Sequence, residues 1–277
     1  MWAQGVFDAI ALPTTVTATG QTEVLGSVLA ILRFGTTVSG TLVIDTSPFR
    51  ITNTNATDVR VTAFGITLGA TTIDAENNIV RIPVNPGASA GSIRVDGIRV
   101  SVAGTGASSI SAKLSWENGL NVFSSGRILT LVTAVQTGLA VDPITDRFVV
   151  FNGQVVHATS TISLREAYAS ALTNSTDFGQ TVPTRVRIRV TELPANLLLT
   201  FPATVTARNS AATLTTVEGS SVTLPRTNGN AEVSYNFAGT SDSNSIVEAF
   251  DILFTAVVTG FPGTSQPMIE VGLGPIG

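Results

Sequence analysis

Residues 184–193, TRVRIRVTEL, place Val186, Ile188 and Val190 at every second position with Arg185, Arg187 and Arg189 between them. That two-residue period recurs in short segments along most of the chain, and it constrains the fold more than any other feature. Successive side chains of a strand point to opposite faces, so alternation predicts sheets with one buried and one open face. TEVLGSVLAILRF, GTLVIDT, NNIVRIPV, RILTLVTAVQTGL, AEVSYNFAG and EAFDILFTAVVTGF follow the same rule, separated by Gly, Pro and Asn turns. Many strands without alternating helices predict an all-β protein of two β-sandwich domains, Ig-like or jelly-roll-like. A length of 277 residues suits two such cores.

The expected division is an extended N-terminal leader at 1–19, a first sandwich at 20–141 and a second at 142–277. The boundary falls at VDPITDR, where Pro and paired acids interrupt the pattern. In residues 92–104, SIRVDGIRVSVAG, the alternation slips at Asp96-Gly97, the signature of a bulge or a tight turn. Residues 163–172 read instead as one short helix in the second domain. Ser163 and Glu166 have capping-box spacing, and Leu164, Tyr168 and Leu172 form one stripe. Asn174 is the expected stop.

Charged residues make up 12% of the chain, the net charge is -4 and the pI is near 5.0. This excludes the clustered basic footprint that a nucleic-acid partner requires. A surface covered by Thr, Ser and Asn suits extracellular β-proteins and proteins buried in assemblies. Lys113 is the only lysine, and there is no cysteine, so disulfides and thiolate metal sites are excluded. The longest apolar run, VLGSVLAIL at 24–32, is too short for the about 20 residues of a membrane-spanning helix, so no membrane insertion is expected. Met1-Trp2-Ala3-Gln4 has no signal-peptide character; export is expected through a signal peptide outside this numbering.

Catalytic signals are weak. His157 is the single histidine and lacks companion ligands. GASAG at 87–91 fits a G-x-S-x-G pattern around Ser89, but a strand follows it where a nucleophile elbow needs a helix. Glu166 reads as a capping residue. Neither a catalytic residue nor a cofactor is expected. Calcium is the one cation considered, with Asp142 and Asp146 of the interdomain loop as candidate ligands. Asn55 and Asn174 begin N-x-[ST] sequons.

Two surfaces stand out. The leader, GVFDAIALPTTVTAT at 5–19, has strand chemistry, and Val6, Phe7, Ile10, Leu12 and Val16 are its candidate self-association residues. Such a strand can add to a neighbour's open sheet edge. Arg185, Arg187 and Arg189 form a candidate contact stripe for an acidic polysaccharide or another subunit; the bland alternative is a solvated face paired with neighbouring carboxylates.

LPTTVTATGQTEVLGSVLAI, SIRVDGIRVSVAGTGASSISAKLS, VQTGLAV, ISLREAYASALTN and TRVRIRVTELPANLLLTFPATV, in this order, resemble segments of large secreted β-rich proteins of unknown function from acidobacteria and similar bacteria. The resemblance implies export and a β-rich fold, and supplies no catalytic residues. Members often carry Cys in the first domain, which this chain lacks. The expected function is that of a secreted, non-catalytic structural protein whose partners are copies of itself, assembled into an extracellular filament or surface layer through strand edges. The alternative is a cell-surface adhesin or carbohydrate-binding module, with surface polysaccharide as partner and Trp116 as a candidate platform.

Overall fold

A computed structural model describes residues 5–33, 38–88, 90–120, 122–123, 127–144, 156–172, 183–224, 231–241, 243–259 and 267–274. The protein is all-β, in two compact units, 1–136 and 137–277.

Unit 1 contains β1 (Gly5–Leu12), β2 (Thr14–Thr17), β3 (Glu23–Val24), β4 (Ser27–Arg33), β5 (Val38–Asp45), β6 (Arg60–Phe64), β7 (Thr72–Asp74), β8 (Ile79–Ala88), β9 (Gly91–Asp96), β10 (Arg99–Val100), β11 (Ile110–Leu120), β12 (Val122–Phe123) and β13 (Arg127–Gln136). One sheet has the order β12-β1-β4-β9-β6 and the other β2-β13-β11-β5-β8-β7, with β3 and β10 paired separately. Between the two larger sheets Phe7, Val28, Ala30, Ile93 and Val95 meet Leu42, Ile44, Val80, Ile82 and Leu114 in one core.

The expected free leader is instead part of this sandwich. β1 pairs antiparallel with β4 from Val6 to Leu12, and β2 pairs parallel with β13. Pro13 stands between β1 and β2; it has no N–H to continue a ladder and so suits the crossing from one sheet to the other. The slip at Asp96-Gly97 marks a second crossing, from β9 to β10. Gly97 has φ +83°, and a Cβ there would lie 2.6 Å from the Asp58 carbonyl oxygen.

Gly26 sits where two strands converge, donating its N–H to Leu131 O at 3.1 Å. A Cβ on it would lie 2.6 Å from that oxygen and 2.8 Å from Pro13 Cα, both backbone atoms that cannot swing away. Gly26→Ala is therefore expected to destabilise unit 1 by about 1–3 kcal/mol, the usual cost of overpacking. Urea unfolding followed by circular dichroism checks it, and an unchanged midpoint contradicts it.

Unit 2 contains β14 (Leu139–Val141), β15 (Val156–Glu166), β16 (Arg185–Thr191), β17 (Leu197–Phe201), β18 (Thr204–Thr206), β19 (Thr213–Thr216), β20 (Val222–Leu224), β21 (Ala231–Ala238), β22 (Ala249–Val258) and β23 (Met268–Gly274). Its sheets run β14-β15-β22-β17-β20 and β18-β19-β21-β16-β23. Ile162, Phe201, Phe250, Ile252 and Phe254 from the first pack against Val186, Ile188, Val233, Tyr235 and Phe237 from the second. Phe201 and Phe254 stack with centroids 5.2 Å apart. The Tyr235 hydroxyl donates to Pro202 O at 2.9 Å, which satisfies the one polar atom of an otherwise apolar buried ring.

The helix expected at 163–172 does not form. β15 runs through Glu166, pairing with β22 from Val156 to Arg165, and the chain then bends, with Ser170 at φ +72°. The helical elements among the described residues are two three-residue 3₁₀ turns, Ala56–Asp58 and Ser243–Ser245.

Candidate functional site

Strand parity and register set the outward face of the β12-β1-β4-β9-β6 sheet. One transverse row holds Leu12, Ser27, Asp96 and Arg60; the next holds Ile10, Leu29, Arg94 and Thr62; the third holds Asp8, Ile31, Ser92 and Phe64. The charges in the middle of this face are paired. Arg94 Nε donates to Asp96 Oδ2 at 2.9 Å, Ser27 Oγ also donates to Asp96, and Asp8 meets Arg127 at 2.7 Å. Beside exposed Arg60 and Thr62 and the half-exposed, paired Arg94, the open apolar side chains are Ile10 (48%) and Leu12 (51%) on β1, next to half-buried Leu29 and Ile31 on β4, and, at the opposite edge on β6, Phe64 (80%). β1 pairs with β12 only at Gly5 and Val6. Beyond Val6 that edge of β1 has no ladder partner among the described residues.

The five leader residues thus divide by parity. Phe7 and Val16 are buried in the core of unit 1, while Ile10 and Leu12 face outward. Val6 pairs with Arg33 and Phe123. Sequence reasoning misses Phe64, Leu29 and Ile31, although each occupies the polar-side parity of its strand, and that is the signal that could have found them.

Arg185, Arg187 and Arg189 do share the outward face of β16. Yet Arg185 Nε donates to Asn236 Oδ1 at 3.0 Å, and Arg187 forks onto Glu232, with Nε to Oε1 at 2.9 Å. The Arg187 hydrogen bond holds the Glu232 carboxyl below its ordinary range. Arg189 lies opposite Glu232 on β21 and Glu270 on β23. The stripe is a row of cross-strand pairs, not a bare cationic track.

The outer face of β15, β22, β17 and β20 is different in kind. Thr159, Thr255, Thr200 and Thr223 form one row across four strands, with the Thr200 and Thr223 hydroxyls bonded at 3.0 Å. Leu253 opposite Thr161, and His157 with Val257 and Leu198, flank the row. His157 is exposed there, with Val257 as its neighbour across the ladder.

Inside the same unit lies a pair of carboxylates that sequence reading only half identifies. Glu166 and Glu248 are 1% and 0% exposed. Glu166 caps backbone amides as expected, but not those of a helix: Oε1 accepts from Leu172 N at 2.7 Å and Oε2 from Glu248 N at 2.8 Å. Glu248 Oε1 accepts from Ser243 Oγ at 2.7 Å and Ser210 Oγ at 3.1 Å. Its Oε2 is buried without a hydrogen-bond partner. Burial pushes the Glu166 carboxyl up to about 7, with the Glu248 charge adding to the effect against the two amide donors. Ser163, expected in the cap, instead donates to Asp251 Oδ1 at 2.6 Å. In unit 1, Glu23 is likewise raised to about 7 by burial, while Thr17 N and the Arg99 charge oppose the shift.

The remaining candidates do not converge. Asp142 is exposed after β14, its amide bonded to Ser163 O at 2.9 Å, and Asp146 lies outside the described residues. No group of three His, Cys, Asp or Glu suited to a metal occurs among the described residues. Ser89 lies outside them too, and the flanking Gly87 and Gly91 belong to β8 and β9, two strands rather than a strand and a helix. Asn55 is exposed ahead of the first 3₁₀ turn; Asn174 lies outside the described residues. Trp116 packs against Phe7 at 5.7 Å and donates its ring N–H to Ser39 O at 3.2 Å, so its ring is not a free platform. No helix among the described residues is long and apolar enough to cross a membrane.

No family model and no curated protein matches the chain. Among solved structures it is similar to the C-terminal domain of the Streptococcus pyogenes antigen I/II-family protein AspA, at 9% identity over 98% of this chain and 96% of that one, TM-score 0.31. It is also similar to a partial N-terminal region of an enterococcal surface protein, at 9% identity over 99% and 91%, TM-score 0.23. A third is the collagen-binding domain of the Erysipelothrix rhusiopathiae surface protein RspB, at 10% identity over 99% and 97%, TM-score 0.22. Scores of 0.31 and below lie under the level at which likeness of fold informs function.

Proposed function

We propose that this chain is an extracellular, non-catalytic structural protein that self-associates through the β1 margin of unit 1. The observation that carries this reading is the outward exposure of Ile10 and Leu12 on β1 beside half-buried Leu29 and Ile31 on β4, on one sheet face whose central charges are already paired. Contiguous apolar surface of this kind marks interaction sites on soluble proteins. The scarcity of charge, 12% of residues, leaves few repulsive terms between copies. The half-paired edge of β1 offers a place where a strand of a second copy extends the sheet. Antiparallel pairing of the β1 edges of two copies is a two-fold contact that sets their Ile10 faces side by side, and a further contact between such pairs extends them into a filament or layer. This revises the role of the leader from a free donor strand to an integral strand that presents a contact face.

The double variant Ile10→Thr, Leu12→Thr keeps β-forming residues at outward positions of β1. It is expected to keep its far-ultraviolet spectrum and to lose self-association by tenfold or more in sedimentation velocity. An unchanged distribution of sizes contradicts the reading.

A second reading, a cell-surface adhesin that binds polysaccharide, is favoured by the uncharged row of Thr159, Thr255, Thr200 and Thr223 flanked by Leu198 and Leu253. It requires that a Thr200→Val, Thr255→Val variant, nearly the same shape without hydroxyls, lose binding on a glycan array.

A further inference from the structure

Two acidic side chains that no proposed contact uses are shut into unit 2 without a cation. Among the described residues, no Arg or Lys forms a salt bridge with Glu166 or Glu248; the nearby Arg208 pairs with Asp251 at 3.5 Å, and Arg165 points to the outer face of β15. Ionising both would place two unpaired charges in the interior, at a cost far above that of a neutral carboxyl. The geometry shows where the strain falls. Four donors, two amides and two hydroxyls, converge on three of the four oxygens, and Glu248 Oε2 is left buried with none.

The same contacts tie together three pieces of chain. Glu166 N donates to Glu248 O at 2.9 Å while Glu248 N donates back to the Glu166 carboxylate, joining the end of β15 to the start of β22. Leu172 N brings in the bend at 167–172, which contains Tyr168 and buries Ala171 and Leu172. Ser243 brings in the 3₁₀ turn, and Ser210 the loop between β18 and β19.

We infer that Glu166 and Glu248 form a proton-held clasp: Glu166 retains its proton while this end of unit 2 is closed, and loss of that proton frees the segments 167–172, 239–241 and 243–248. The step is a simple acid dissociation, with the proton passing to water as the clasp opens. A proton fits the site better than a cation, because the oxygens already receive donors, whereas calcium asks for six to eight oxygens free to coordinate.

The direction follows from Glu166. Its carboxyl titrates at about 7 in the closed state, against an ordinary 4.5 once solvated. The closed form therefore holds the proton that the open form gives up between those values. Closure is strongest below about pH 4.5, weakens about tenfold per pH unit, and levels off above about 7.

Hydrogen exchange of the Leu172 and Glu248 amides, corrected for intrinsic rates, reads this directly on the whole chain carrying Glu23→Gln, which removes the second raised carboxyl in unit 1. Protection of both amides is expected to fall by roughly 10²-fold in total from pH 5 to 7.5. Glu166→Gln should make it flat with pH. If that variant fails to fold, Glu248→Gln, which deletes the neighbouring charge but keeps Glu166 and its amide donors, should move the midpoint of the Leu172 amide shift to lower pH. Flat protection in the parent protein overturns the clasp, as does an unmoved midpoint in Glu248→Gln. Protection restored at pH 8 by millimolar calcium, and lost again in Glu248→Gln, also overturns it, by making the orphan oxygen a cation ligand.

Discussion

Deleting residues 1–19 is expected to unfold unit 1. The deletion removes β1, which pairs with β4 from Val6 to Leu12, and β2, which closes the other sheet beside β13. It also removes Phe7, Ala9, Val16 and Thr17 from the interior. Loss of a buried Phe alone costs about 3–5 kcal/mol, and a buried Val adds about 1.5–3. The sum approaches the whole stability of an ordinary domain, about 5–15 kcal/mol, before the lost ladders are considered. The readout is clean, because the chain has two tryptophans, Trp2 and Trp116, and the deletion leaves Trp116 alone. Its fluorescence is expected at the wavelength of a solvated indole, with no cooperative urea transition. A blue-shifted emission with a normal transition would mean that β1 and β2 are dispensable, and would restore the picture of a free leader.

In unit 2 the largest single-residue effect is expected at Phe254. The ring is buried and stacks on Phe201, so Phe254→Ala removes both its burial and an aromatic pair. A loss of about 3–5 kcal/mol is expected from the cavity and transfer terms together. Leu253, the adjacent residue, is 56% exposed on the opposite face, and Leu253→Ala should change stability by less than about 0.5 kcal/mol. Urea denaturation of the two variants tests the register of β22 as much as its packing. Equal effects would place β22 out of register by one residue.

Alternation makes β16 and β22 legible in the residues alone, because period two survives whatever the partner strand is. The slip at Asp96-Gly97 is legible as a break; that the break is a crossing between sheets depends on Asp58, far away in sequence, whose carbonyl needs a glycine opposite it. The helix expected at 163–172 fails for a definite cause. Leu164, Tyr168 and Leu172 satisfy a helical period, but Ile162, Leu164 and Glu166 satisfy a strand period equally well. A helix of about ten residues has little stability of its own, whereas ten register pairs with β22 decide for the strand. Glu166 is legible as a residue that binds amides. Its actual partners lie at Leu172 and at Glu248, which no local pattern links to it. The arginine stripe is legible down to its face, and the carboxamide and carboxylates that neutralise it sit on β21 and β23, visible only once the register is known.

Contact between copies at the β1 margin is the central claim, and the absence of cysteine makes it directly measurable. A single Ile10→Cys chain, oxidised under mild conditions at the concentration where it associates, should form disulfide-linked dimers. An Arg189→Cys chain, with its thiol on the paired face of β16, should associate as the parent does but form no disulfide-linked dimers. Equal cross-linking in the two, or none at Ile10→Cys while association persists, would contradict self-association through this face.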